Sequence, residues 1–307
     1  MDRKGLTLVE VLVALGIAAI LMGLILPTAL GNRRLYNLDV QRTGANQNLR
    51  AGLDFLVADI RQAGERLPVD FPAIEIQTDG NNSTLIIRRN LLDTALTLCD
   101  RIDGNQDNIP VNIPVAVNNR GQLNGLPADL QGVCAFRDTD RNRVDDRIDA
   151  FQAYRCSQDG DPQCRVGNDR ERVRIYIYDP VNRVGEWFVY DAEDASEVKI
   201  HKGNQERWSR RYGPGSRIYV LEERKYRKDG DLLVLQENGE SQGKGVVAGV
   251  VRFVAKALAN NTWYNAFPTG NLDWRSIRSI EVVLRVRVGN VERELGTQAV
   301  PRNVLSY

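Results

Sequence analysis

The chain has 307 residues, with 41 Lys and Arg against 40 Asp and Glu and a net charge of +1. That length is enough to bury a substantial core in one large domain or two smaller ones, and the charge balance gives no sign of a nucleic-acid or strongly acidic partner. A single histidine, His201, removes most routes to imidazole catalysis or to zinc.

The first element is a short polar leader, Met1-Asp2-Arg3-Lys4-Gly5, followed by an apolar run over residues 6–26. About 20 apolar residues span a hydrocarbon core as a helix, and Arg3 and Lys4 hold the leader on the cytoplasmic side. The run carries one carboxylate, Glu10. An ionised Asp at the middle of a membrane helix costs about 2.5–3.5 kcal/mol, and a Glu is comparable. The residues alone leave two plain readings open. One is a signal anchor in which Glu10 has no role. The other is a secretory signal cut near the small-x-small triplet Ala29-Leu30-Gly31, although the run is long for a signal core and the helical pattern continues beyond that triplet.

A third reading comes from resemblance. Gly5-Leu6-Thr7-Leu8-Val9-Glu10, followed by an apolar helix and Pro27, resembles the class III signal of type IV pilins and pseudopilins. The resemblance implies cleavage by prepilin peptidase between Gly5 and Leu6, then N-methylation of Leu6. Glu10 stands where that family keeps a glutamate, and Pro27 where it keeps a proline. Leu6 replaces the commoner phenylalanine. A buried charge is tolerated when it is paired, so Glu10 is expected to pair with the charged amino terminus of a neighbouring subunit and to act in assembly.

From residue 27 to 64 the spacing predicts an amphipathic helix that continues into the head. Leu35, Leu38, Ala45, Leu49, Leu53, Leu56, Ile60 and Ala63 recur by threes and fours. Gly64 is a cap and Pro68 a stop, while Pro27, Gly31 and Gly44 are expected points of bending. One helix from Leu6 to Ala63 would be about 85 Å long.

Residues 65–307 read as a β-rich periplasmic or extracellular domain. Period-two strands are expected at 73–78, 83–89, 172–178, 185–191, 217–226, 231–237, 245–258 and 279–288, with an Asp-Gly hairpin at Lys228-Asp229-Gly230-Asp231. A helix followed by strands gives α+β, a long helix packed on an antiparallel sheet. "LRAGLDFLVADIRQAGERLP" resembles the helix end of J-type minor pseudopilins and PilW-type minor pilins. So, loosely, do "ERKYRKDGDLLVLQE", "NNTWYNAFPTGNLDW" and "ELGTQAVPRNV".

Residues about 90–170 read as a loop-rich insertion containing Cys99, Cys134, Cys156 and Cys164. Four cysteines without metal spacing, behind a membrane signal, imply two disulfides outside the cytoplasm. Of three pairings, Cys99–Cys134 and Cys156–Cys164 are favoured, the second closing a short surface loop. "DTDRNRVDDRID" places Asp138, Asp140, Asn142, Asp146 and Asp149 at calcium-loop spacing, with the Val144 carbonyl between them. It resembles the loops of EF-hand and thrombospondin-type repeats, but Arg143 replaces the glycine at the bend. A solvated loop neutralised by Arg141, Arg143 and Arg147 explains the same residues. Asp103, Asn105 and Asp107 form a lesser cluster. "ERWSRRYGPGSR" mixes Arg207, Arg210 and Arg211 with Trp208 and Tyr212, a combination able to hold single-stranded DNA but more often ordinary surface.

No catalytic triad, paired carboxylates or phosphate loop emerges, so an enzyme is not expected and no cofactor is required, calcium being the one candidate ion. The resemblance implies a membrane-held minor pilin that helps to initiate or cap a fibre with other pilins. Its alternatives are a J-type pseudopilin of type II secretion and a DNA-binding tip subunit of a competence pilus.

Overall fold

A computed structural model describes residues 8–102, 111–117, 123–158, 172–194, 198–203, 208–270 and 272–304. Helix α1 runs unbroken from Leu8 to Gln62. It passes through Pro27, Gly31 and Gly44 without ending, so the bends expected there do not interrupt it. Beside Pro27, which has no N–H to give, the Thr28 hydroxyl donates to Leu24 O at 2.9 Å. The membrane half of α1 is covered by nothing else in the subunit. Its second half buries Ala45, Leu49, Leu53, Leu56 and Ile60, the later part of the stripe that the three-four spacing predicts. Leu35, at its start, is 61% exposed and Leu38 is half-buried, because the head begins to cover α1 only further along.

That stripe packs on two antiparallel sheets. The first has the order β1 (Ile74–Asp79), β2 (Asn82–Asn90), β9 (Leu221–Asp229), β10 (Leu232–Glu237), β11 (Lys244–Ala248). The second has the order β13 (Thr262–Tyr264), β12 (Val250–Ala259), β14 (Ile277–Val288), β15 (Val291–Ala299). In β14 the alternating residues Ile280, Val282, Leu284 and Val286 are fully buried. Together α1 and these sheets enclose one continuous core.

A second core lies under a third, six-stranded sheet, ordered β3 (Leu96–Thr97), β8 (Arg217–Tyr219), β5 (Val173–Asp179), β6 (Val184–Asp194), β7 (Lys199–Lys202), β4 (Val111–Pro114). Two short helices, α2 (Ala128–Cys134) and α3 (Asp146–Ser157), accompany it, and Ile148 and Phe151 of α3 are buried in its core. The insertion is therefore larger and more regular than the loop expected at 90–170. It begins after Asn90, ends before Leu221, and takes in the strands at 172–219. Two expected strands each divide between sheets. The run 217–226 becomes β8 and β9 on either side of Val220, and the run 245–258 becomes β11 and β12 on either side of Gly249. Period-two spacing marks extension but is blind to a change of sheet.

Candidate functional site: the assembly terminus and the clamp behind it

Glu10 lies in the first turn of α1 as described, on a stretch whose large apolar side chains are exposed, Leu8, Leu12, Leu15, Ile20 and Leu24 each by more than half. Gly5 and Leu6, the expected cleavage and methylation residues, lie outside the described residues. The carboxylate is the one charged side chain in the apolar run over residues 6–26. Here it also sits in a surface that only other apolar groups, lipid or protein, can cover. Arg33 and Arg34, both exposed, follow the apolar run and mark where polar surroundings resume.

The other end of α1 is fastened to the head by charge and shape. Asp59, 5% exposed, accepts hydrogen bonds from Arg224 Nη1 and from the Tyr226 hydroxyl, both on β9. Burial, and then Asp59 itself, raises the Tyr226 phenol far above its ordinary value, so it remains a donor. Burial opposes the charge on Arg224, yet Asp59 outweighs it and raises its pKa. Beneath this pair, buried Arg88 donates to Glu223 Oε2 at 2.6 Å, to Pro72 O at 2.6 Å and to Glu75.

The helix stops at Gly64, whose φ of +76° favours glycine. An added Cβ there would lie 2.2 Å from the Trp274 ring. The Gly64 N–H donates to Arg88 O at 2.9 Å, Trp274 Nε1 donates to Pro68 O at 3.1 Å, and Asn303 Nδ2 reaches Ala63 O at 3.0 Å. Sequence segments cited separately for their resemblance, Asp59 to Gly64, Glu223 to Tyr226 and Trp274, thus meet at one junction. Arg88 and Glu75 were missed. Two adjacent arginines at the end of an apolar strand look like a solvated terminus, and only the return of β9 beside β2 reveals the buried network.

Comparison with known families adds one match: residues 1–26 fit the family described as the prokaryotic N-terminal methylation motif. The chain bears the class III signal of the type IV pilin family. Its long apolar helix followed by antiparallel sheets is consistent with a pilin-like fold, and signal and helix together support membrane anchoring of the chain. No curated protein and no solved structure matches it.

The remaining expectations fall in the second unit of the head. Cys99 and Cys134 are disulfide-bonded, with Cα atoms 5.8 Å apart. Cys156 is also disulfide-bonded, and Cys164 lies outside the described residues. In the 138–149 loop, oxygens of Asp138, Asp140 and Asp146 fall within 4.8 Å of one another. Asp149 is not in that group. It accepts instead from Asn142 Nδ2 at 2.6 Å, and the same nitrogen donates to Asp140 at 3.0 Å. The Asn142 side-chain oxygen is taken by the Val144 N–H at 2.7 Å. Oxygens of three of the four expected carboxylate ligands converge, while Asn142, Val144 and Asp149 are tied by hydrogen bonds within the loop.

Asp145, left out of that set, caps α3 and is fully buried with Arg147 at 2.7 Å. Burial would raise its carboxyl, but hydrogen bonds from Arg147 and the Arg137 N–H hold it below the ordinary value. Trp208 and Tyr212 belong to the second core, so their faces are closed to a stacking base, while Arg210 and Arg211 are exposed. Asp103, Asn105, Asp107 and Arg207 lie outside the described residues.

Proposed function

We propose that this chain is a minor subunit of a type IV pilus, processed between Gly5 and Leu6 and built into the fibre to initiate or cap it. One observation carries the reading: a methylation-motif terminus leads into a single 55-residue helix whose first half is uncovered and whose second half is the spine of the head. Such a helix has to be covered twice, by lipid before assembly and by other helices after it. On transfer from lipid to fibre, Glu10 is matched by a neighbour's terminal amine, which keeps its charge when methylated. The pair fixes axial register because a slip of one turn, about 5.4 Å, leaves both charges buried and alone.

The size of the head favours a minor subunit, since a second sheeted unit adds breadth that a densely repeated shaft subunit has to fit beside every neighbour. A J-type pseudopilin shares all these features, and the fibre in which the chain is recovered distinguishes the two. The test is mass spectrometry of the chain from purified fibres. It is expected to begin at an N-methylated Leu6, and Glu10→Ala is expected to lower its incorporation about tenfold or more, the loss of at least ~1.4 kcal/mol. A chain beginning at Met1 or Asn32, or an unchanged Glu10→Ala yield, overturns the reading.

A further inference from the structure

β15 ends the second sheet, and its one ladder partner among the described residues is β14. The hairpin joining them turns on Gly289-Asn290, with Gly289 at φ +57°, and closes on the pair Val288–Val291. In a two-residue hairpin the closing pair exchanges both backbone hydrogen bonds, and the pattern then alternates along the strand. Val291, Arg293, Leu295, Thr297 and Ala299 therefore direct N–H and C=O to β14, while Glu292, Glu294, Gly296 and Gln298 direct theirs outward. β14 obeys the same parity: the N–H of Arg287, turned away from β15, donates to Gly249 O at 2.7 Å.

Open edges are commonly guarded by charge. Here the two carboxylates are already paired within the hairpin, Glu294 accepting from Arg285 Nε at 2.7 Å and Glu292 from Arg287 Nη2 at 2.6 Å, while Arg293 is exposed on the opposite face. Residues 292–296 are all exposed, and Leu295, opposite buried Leu284, is 42% exposed. An incoming strand meets aligned backbone groups, a neutral outer face and an apolar step.

The strand also has a direction. At the hairpin tip the Asn290 N–H donates to Gln41 Oε1 at 3.2 Å. At the far end Asn303, just past β15, caps Gln62 and Ala63. β15 thus runs beside α1 and in the same sense, and both cover about 30 Å. An antiparallel contact between two copies of β15 has its two-fold axis perpendicular to the sheet. That axis reverses α1, so two such copies could not place their spans in one membrane from the same side. A different edge strand avoids this conflict.

We propose that β15 is a strand-addition site for a neighbouring fibre subunit of the same polarity. An edge strand of that subunit pairs antiparallel with Glu292–Gln298, setting an apolar side chain against Leu295 and no carboxylate beside Glu292 or Glu294. The inference rests on the fibre reading and names the surface through which it acts.

The test uses the full chain in cells that build the fibre, with p-benzoylphenylalanine in place of Leu295 and, as control, in place of Val181, 87% exposed on the β5–β6 turn. Irradiation is expected to join position 295, and not 181, to a fibre subunit. Glu294→Pro and Gln298→Pro each remove an outward N–H and spare the ladder to β14. Each is expected to lower the adduct about tenfold or more with protein level and the Cys99–Cys134 bond unchanged. No adduct at 295, or an adduct that survives both prolines, overturns the proposal. Should a proline variant fail to fold, the adduct on the otherwise unaltered chain decides. Incorporation of Glu10→Ala, measured alongside, separates failure of this surface from failure of the fibre reading.

Discussion

Around Phe71, single side chains of the third sheet complete the first core. Its ring meets Tyr178 at 4.8 Å and Tyr219 at 5.0 Å between centroids, with Tyr176 at 6.0 Å. Burial pushes each of the three phenols up to about 12. A phenol whose folded value lies above its unfolded one, near 10, contributes stability that is complete below pH 10 and disappears as pH rises toward 12. Denaturation midpoints are therefore expected to hold up to about pH 10 and fall from there, in step with tyrosinate absorbance. A midpoint that is flat to pH 12 would contradict this packing. At the same scale, the sequence disclosed Glu10 by its chemistry, since a carboxylate in an apolar run is conspicuous. It did not disclose Trp208 and Tyr212 as core, because aromatics between arginines look alike whether their faces are buried or open.

Among the elements, α1 was the most legible. The three-four spacing from Leu49 to Ala63 is kept by packing, and Gly64 ends the helix where backbone geometry and the Trp274 ring both require a glycine. The attachment of α1 was half legible, because its parts are local in the chain while their meeting is not. Asp59 is 165 residues from Arg224 and 167 from Tyr226. Replacing Asp59 by Ala leaves the Tyr226 phenol without its acceptor and the Arg224 guanidinium with Glu222 alone, at 3.3 Å, which is expected to cost about 2–4 kcal/mol. Replacing Arg285, whose partners lie on an exposed face, is expected to cost less than about 1 kcal/mol. Denaturant titration of the detergent-solubilised chain gives both values, and equal losses would remove the clamp from the account. The third sheet was the least legible element set. β3, β4 and β8 have two, four and three residues, too few for alternation to register, and they gain stability only from neighbours distant in sequence.

For the whole molecule, the connection at Asn90 and Leu221 is decisive. These residues are register partners across β2 and β9, and the Leu91 N–H extends the ladder to Val220 O at 2.9 Å. Everything from 91 to 220 leaves and rejoins the first unit at one point, so a two-residue turn is long enough to close the gap. A chain in which Asn-Gly replaces residues 91–220 is expected to fold around α1 and to keep its membrane anchoring. It would be less stable by about 1–3 kcal/mol, because Phe71 loses its tyrosine neighbours. Loss of soluble, protease-resistant head in that variant would show that the two cores fold only together.

The single point of departure also bears on force. In the proposed fibre, tension enters this subunit through α1 and is handed to the sheets packed on it. The inserted unit joins the chain path only through two adjacent strands and is packed on the head through Phe71 and Asp70, so it lies outside that load path. Pulling on the filament leaves its shape intact, so a surface carried there can keep its grip while the shaft is under strain.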